Sequence, residues 1–247
     1  MKANKVALGM LSFFLYGSVL AGTMGDAPRS WAKVFTLSAG PAWTDSGDTQ
    51  TFFLAPEIEK TYSASKNTST LFNGEVFLGV QHSLSATILG QIGLAVAATS
   101  NTAINGEIWD DADPQFNTLI YSYKINHAHV AVKGKLLADM GYMAIPYVSA
   151  SAGVGFNRAH NFNNTPVIFE ALPNSNYGSN SETAFSYTVG VGLQKAINQN
   201  LQVGIGYEFA DWGKSQLGRA FGQTLGNGLS QGHVYTNGLM FNLSFLA

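Results

Sequence analysis

The sequence predicts an all-β fold, an eight-stranded antiparallel transmembrane β-barrel, and three observations carry that expectation. Eight stretches alternate apolar and polar residues, and the turns between them run short, then long, then short again. Only 11% of residues are charged and 46% are hydrophobic, whereas soluble domains carry roughly 25% charged residues. After Ala21 no run of about 18 apolar residues offers a spanning helix. A closed barrel is the other structure that satisfies every backbone N–H and C=O in lipid.

The first residues read as a cleaved signal peptide. Met1 to Lys5 is a basic leader, Val6 to Val19 is apolar, and Val19-Leu-Ala21 fits the small-residue cleavage rule. The expected division is therefore 1–21 signal peptide and 22–247 barrel, with no composition break inside the latter. Losing Lys2 and Lys5 from 13 basic residues leaves 11 against 15 acidic ones. That balance excludes nucleic acid as a partner. The absence of Cys excludes disulfides, thiol catalysis and lipidation of a cysteine at the cleavage site.

The strands follow in order. Trp31–Thr44 alternates with Trp31, Phe35, Leu37, Ala39, Pro41 and Trp43 on one face. Its two tryptophans stand about 30 Å apart along the membrane normal at a strand rise of about 3.3 Å and a tilt near 40°, the separation of the two aromatic rims of a barrel. Leu71–His82 places Asn73, Glu75, Phe77 and Gln81 inward, and Ser85–Ala98 presents Ile88, Ile92, Leu94 and Val96 to lipid. Leu119–Leu137 is long, and its parity is expected to switch near Asn126 through a one-residue bulge. That switch would keep Lys124, Lys133 and Lys135 all in the lumen. Ala144–Arg158, Thr183–Ile197 and Leu201–Trp212 share a Gly-x-Gly pattern, with glycine inward where a narrow barrel needs room. His233–Ala247 closes the set, with Leu239, Phe241, Leu243 and Phe245 on the lipid face and Gly238, Met240, Asn242 and Ser244 on the other.

Ser83–Ser85, Asp139–Gly141 and Asn198–Asn200 are tight polar turns. Asp45–Thr70, Ser100–Thr118, Ala159–Glu182 and Lys214–Gly232 are expected as four long loops. This asymmetry places the long connections outside the cell and both termini on the periplasmic side. Ten strands are the alternative if Thr51–Ser63 crosses the membrane as a hairpin with its neighbours, against which Glu57, Glu59 and Lys60 weigh. The rim aromatics are expected at Trp31, Trp43, Tyr207, Phe209, Phe241 and Phe245.

The hairpin Gly190–Gly213 resembles the penultimate hairpin of small barrels related to the OmpA transmembrane domain and the opacity proteins. Tyr207-Glu-Phe-Ala-Asp-Trp-Gly213 is similar to that family's Tyr-x-Tyr/Phe-x-Asp-x-Gly pattern. The last strand, with Gly238, Leu239, Phe241, Leu243 and Phe245, resembles the class's assembly signal, although Leu246 and Ala247 follow the usual terminal Phe. The resemblance covers the organisation of the chain and, in motif, about its last sixty residues. It implies the outer membrane of a Gram-negative cell, with lipid, lipopolysaccharide and the barrel assembly machinery as partners. It implies little about activity, since such barrels include adhesins, structural proteins, narrow porin-like pores and lipid-modifying enzymes.

Candidates for chemistry are sparse. His127-Ala-His129 places two imidazoles on one strand face, a spacing that suits two metal ligands and, more simply, lumen hydrogen bonding. A deacylase-type site needs a paired His and Ser, and His82 with Ser83, or His127 or His129 with Ser122, are the options. Asp110, Asp111 and Asp113 form an acidic cluster in an expected loop. Neither an enzyme nor a cofactor is expected. Glu75, Lys124, Lys133, Lys135 and Glu208 are read as a lumen charge network, since an inward charge in a narrow barrel needs a partner. That network is expected to plug the lumen, with a gated narrow pore as the alternative. Phe52, Phe53, Tyr62, Trp109, Val167, Ile168 and Phe169 give the loops the aromatic and apolar character of adhesive surfaces. The function expected is a surface structural protein or adhesin that touches a host or envelope molecule through its loops.

Overall fold

The computed structural model describes residues 31–44, 47–110, 112–169 and 171–247. The expected signal peptide lies outside them. Thirteen strands are present among the described residues: β1 (Trp31–Thr44), β2 (Gln50–Ala55), β3 (Ile58–Ala64), β4 (Ser69–Ser83), β5 (Ile88–Thr99), β6 (Thr102–Asp110), β7 (Asn117–Ala138), β8 (Ile145–Pro166), β9 (Asn180–Ala196), β10 (Leu201–Asp211), β11 (Ser215–Gln216), β12 (Ser230–Gln231) and β13 (Tyr235–Leu246). Eleven belong to one antiparallel sheet, and β11 and β12 pair separately. The expected count of eight strands is therefore wrong.

The ring closes because β7 pairs with β8 as well as with β5, while β1 pairs with both β4 and β13. No strand of that ring is left as an open wall edge, the condition lipid imposes. The outer face of the ring carries Leu37, Phe72, Leu78, Ile92, Leu94, Val130, Val132, Val148, Val191, Ile205, Phe241 and Phe245, all exposed. Such a continuous apolar exterior is stable only against lipid tails.

Three of the five additional strands come from two segments expected as loops, 45–70 and 100–118, and β11 and β12 come from a third, 214–232. β2 and β3 form a hairpin, β3 pairs with β6, and β6 pairs with the upper half of β7. Each of these pairings lies beyond one in the ring: Thr44 opposes Ser69 in β1–β4, Ala98 opposes Ala128 in β5–β7, and Thr102 opposes Ile125 in β6–β7. The sheet thus continues above the ring after short breaks. Lys60, one of the charges weighed against this segment crossing the membrane, forms an ion pair with Asp110 on β6.

The expected parity switch in the fourth long stretch does not occur. Along β7 the odd-numbered side chains, from Leu119 through Tyr121, Tyr123, Ile125, His127, His129 and Ala131, all turn inward and are buried. At the level of Lys124 the adjustment falls on its neighbour β8 instead. β8 bulges at Asn161, which adopts φ 56°, so that Ser122 opposes Asn163 while Lys124 opposes His160. Inward positions on β8 pass from Ala159 to Phe162. As a consequence Lys124 is exposed on the outer face, and the expectation that it joins the lumen network is corrected.

Candidate functional site: a charged lumen beneath a sealed cap

In the lower half, the ring brings four expected charges together. Glu75 on β4, Lys133 on β7 and Glu208 on β10 meet across the lumen. The Lys133 ammonium donates to both Glu75 oxygens at 2.7 and 2.9 Å and to Glu208 Oε2 at 3.1 Å. Lys135, one inward position away, donates to Gln194 and sits 3.8 Å from the Tyr147 ring centroid. One ammonium is held between two carboxylates, and the second lysine lies beside it.

The Gly-x-Gly pattern makes this possible. A Cβ on Gly206 would stand 2.2 Å from the Tyr147 hydroxyl, and one on Gly192 would stand 2.6 Å from it. The two glycines open a slot that lets the Tyr147 ring lie across the lumen, where its hydroxyl accepts from Asn242 Nδ2 at 2.8 Å. Thr36 with Ser244, and Ser151 with Thr188, tie further wall positions at 2.8 Å. What remains is a cavity of about 40 Å³ lined by Glu75, Lys133, Lys135, Tyr147, Glu208 and Asn242 among others. That volume holds a few waters and is not an open channel.

Above this layer the chain between β10 and β13 folds into the mouth. Asp211 Oδ1 accepts from the Gly213 N–H at 2.8 Å, and Gly213 adopts φ 72°. Its side-chain position lies 2.6 Å from the Phe185 carbonyl oxygen, so both conformation and space demand glycine there. The turn aims Trp212 inward, where its ring stacks on His127 at 4.7 Å with an interplanar angle of 0°. Asn157, fully buried on β8, donates to the Trp212 and Lys214 carbonyls at 2.7 Å each and so anchors the insertion. Those two donations orient its amide, leaving Oδ1 to accept from His127 Nδ1 at 2.7 Å. His127 Nε2 must then accept from His129 Nδ1, 2.9 Å away. The two imidazoles are thereby fixed to one another and to the insertion. His129 Nε2 is buried without a partner among the described residues.

The cap is a second, apolar core. Tyr62, Ile104, Ile108, Leu119, Tyr121, Tyr123, Ile125, Phe162 and Tyr177 from the raised sheet and the β8–β9 connection pack against Trp212, Leu217, Leu229 and Val234 from the insertion. Tyr177 donates to the Tyr62 hydroxyl at 2.9 Å, and burial pushes the Tyr62 phenol up to about 12. Burial raises Tyr177 in the same direction. β2, the sheet's edge, is covered by the insertion: Ser230 N donates to Gln50 Oε1 at 3.1 Å, and the N–H groups of Thr224 and Leu225 donate to the Leu54 carbonyl at 3.0 and 3.1 Å.

The remaining expected residues are placed as follows. Trp31, Tyr207, Phe241 and Phe245 are exposed on the outer face, and Trp43 and Phe209 lie on it half-buried. Gly238, Leu239 and Leu243 lie on β13, between β1 and β10. His82 stacks on Trp31 at 4.3 Å, at the opposite end of the ring from the cap. Ser122 lies on the outer face of β7, whereas His127 and His129 face the interior. Asp110 pairs with Lys60, and Asp113 Oδ1 accepts from Gln115 N at 2.9 Å to cap a short turn of helix. No group of three or more His, Asp or Glu side chains converges as a metal site among the described residues.

An apolar exterior, a polar and charge-paired interior, and a ring without open edges define an integral β-barrel of the outer membrane. No protein-family model and no curated protein matches the chain in sequence. Solved structures do match it. Neisserial surface protein A is 12% identical, covering 89% of this chain and 99% of that one at a TM-score of 0.41. The outer membrane protein OprG of Pseudomonas aeruginosa is 13% identical, covering 89% and 99% at 0.45. The attachment invasion locus protein Ail of Yersinia pestis is 14% identical, covering 88% and 99% at 0.37. Outer membrane protease OmpT of Escherichia coli also matches, so the similarity is spread over several kinds of outer-membrane barrel and is not specific to the OmpA and opacity type. The membrane placement rests on the lipid-facing exterior and the lumen.

Proposed function

We propose that the protein is a closed, non-enzymatic surface barrel, a structural protein or adhesin whose working part is the rigid cap held above the membrane. The observation that carries this reading is the double seal: the Lys133 ion cluster fills the lumen, and the Trp212–Gly232 insertion buries itself in an aromatic core directly above it. A barrel of this build invests its sequence in a raised platform and not in a passage. Phe116, Val167, Ile168, Phe169 and Leu172 are exposed at the far end of the platform, where Val167 N bonds the Thr118 carbonyl at 3.0 Å. Exposed apolar residues on a rigid support suit contact with a partner surface. The Tyr207–Gly213 motif and the last strand support kinship with OmpA- and opacity-type barrels.

The test is attachment of cells displaying the barrel to cultured host cells. Phe116→Ser combined with Phe169→Ser and Leu172→Ser should lose attachment while outer-membrane levels stay normal. Undiminished attachment by that variant would remove the platform from the reading. Planar-bilayer recording should give near-zero conductance for the wild type, and a steady open channel would replace the sealed barrel with a pore.

A further inference from the structure

Two cations on the outer wall have no protein partner among the described residues. Lys124 on β7 and Arg158 on β8 are both exposed, and neither makes an ion pair or hydrogen bond among the described residues. The register makes them neighbours. Asn126 opposes Arg158 and Lys124 opposes His160, so Lys124 and Arg158 are diagonal partners on one face, with Cα atoms about 7–8 Å apart. Asn101 steadies the patch: its Oδ1 accepts from Asn126 Nδ2 at 2.9 Å and lies 3.2 Å from His160 Nε2.

What lies below and above them identifies the ligand. Ala128 opposes Phe156 and Val130 opposes Val154 in the next outward pairs, and Phe185 flanks Val154 on β9. The apolar belt therefore begins one outward pair beneath Arg158 and two beneath Lys124, about 5 and about 10 Å along the membrane normal for two and four residues of tilted strand. Above them on the same face, Glu107 opposes Ile120, four residues up β7 from Lys124, and is engaged by Trp109 Nε1 at 3.1 Å. The other outward lysines of the ring wall, Lys33 opposite Val80 and Lys195 opposite Val203, stand singly on strands that do not adjoin, near the other rim. A close pair of unpaired cations, seated on the upper border of the hydrocarbon zone, has the polarity of an amphiphile with anionic groups over acyl chains.

We propose that Lys124, Arg158 and His160 form a binding site for the phosphate groups of a glycolipid in the outer leaflet, whose acyl chains lie against Phe156, Val154, Val130 and Phe185. The Arg158 guanidinium takes phosphate oxygens bidentately and Lys124 adds a point charge from the neighbouring strand. The site lies on the outer wall, so it is separate from the lumen and from the apolar end of the cap.

The experiment uses the full barrel in phosphatidylcholine nanodiscs titrated with fluorescently labelled lipopolysaccharide, intact or enzymatically dephosphorylated. Intact glycolipid should bind the wild type about tenfold or more tightly than the dephosphorylated form, a loss in keeping with two charge-assisted contacts. Lys124→Gln with Arg158→Gln should lower affinity for the intact form to the dephosphorylated level, and Arg158→Lys should recover part of it. Both residues are exposed, and an unchanged heat-dependent gel shift will show that the variants fold. Lys33→Gln with Lys195→Gln should bind as the wild type. Equal binding of the two glycolipid forms, full affinity in the Lys124/Arg158 variant, or an equal loss in the Lys33/Lys195 variant would overturn the site. Displacement by millimolar inorganic phosphate would make the ligand a soluble anion and overturn the lipid assignment.

Discussion

Replacing Lys133 by Met tests the lumen most directly. The ammonium is the shared partner of Glu75 and Glu208, whose side chains are 3% and 9% exposed. Deleting it leaves two buried carboxylates facing one another. Removing one partner of a buried pair costs about 3–5 kcal/mol, and a stranded pair of like charges belongs at the upper end of that range. The two acids should rank below it and differ from each other. Glu75→Gln weakens a contact to two oxygens, at 2.7 and 2.9 Å, whereas Glu208→Gln weakens one at 3.1 Å. Charged hydrogen bonds contribute about 1.5–3 kcal/mol, so Glu75→Gln belongs near the top of that interval and Glu208→Gln near its foot. Combining Lys133→Met with both Gln substitutions removes the three directly paired ions together and should recover most of the loss, because buried ion clusters and neutral replacements of similar volume are often equivalent. Lys135 is able to swing from Gln194 toward the stranded acids, so the series belongs in a Lys135→Gln background as well. The assay is reversible urea unfolding of the barrel in lipid vesicles, followed by tryptophan emission. If Lys133→Met alone costs less than about 1 kcal/mol, the value of a solvated surface pair, the lumen charges are hydrated and the sealed interior is refuted.

Three further outcomes follow. Cysteines at Ser175 and Asn227, both exposed on the cap side, should react with an impermeant maleimide on intact cells while Gln199→Cys does not, and the opposite pattern would invert the barrel. Phe245→Ala should lower outer-membrane levels by more than the lost transfer of one aromatic ring from water to lipid accounts for, because Phe245 lies in the last strand; normal levels would place the assembly signal elsewhere. The cap should open in alkali. Burial raises Tyr62 to about 12, while a tyrosine in an opened cap titrates near its ordinary value of about 10. The closed form keeps a proton that the open form loses, so the stabilisation is complete below about pH 10 and is lost as pH rises through 12. Protease cleavage of the insertion should rise across that window, and a flat profile would mean that Tyr62 is already hydrated.

Much of the wall was legible in the sequence, because lipid imposes a rule that alternation records. Trp31–Thr44 has the same bounds in sequence and structure, and the last strand differs by a few terminal residues. The lumen cluster was legible for a related reason: Glu75, Lys133, Lys135 and Glu208 are charges at positions where the parity leaves only the interior. Residues 50–64 and 102–110 were missed because they lie above the hydrocarbon zone, where the outer face meets water and carries Glu59, Glu107 and Lys124 without penalty. Their signal was the opposite one, visible in Ile104 and Ile108 at alternate positions flanked by Asn105 and Glu107. That is the pattern of a strand covering an apolar core from outside.

The same inversion explains why β7 was misread. Below Asn126 its outward residues are Val130, Val132 and Leu136 and its inward ones include His129, Lys133 and Lys135; above it the inward residues are Leu119, Tyr121, Tyr123 and Ile125 and the outward ones include Ser122 and Lys124. The apolar residues change number parity, and a chain held to one environment would need a bulge to keep them on one face. In this chain it is the surroundings that change along an unbroken strand. Lipid outside and paired charge inside give way, within about one turn of the pleat, to water outside and a dry aromatic core inside. A single strand crossing that boundary ties the two cores rigidly together. Trp212 and Asn157 sit at the crossing, bonded through His127 to the top of the polar lumen. A force applied to the cap is therefore borne by the β-ladder and not by a flexible tether, which is the mechanical property a surface that grips a partner requires.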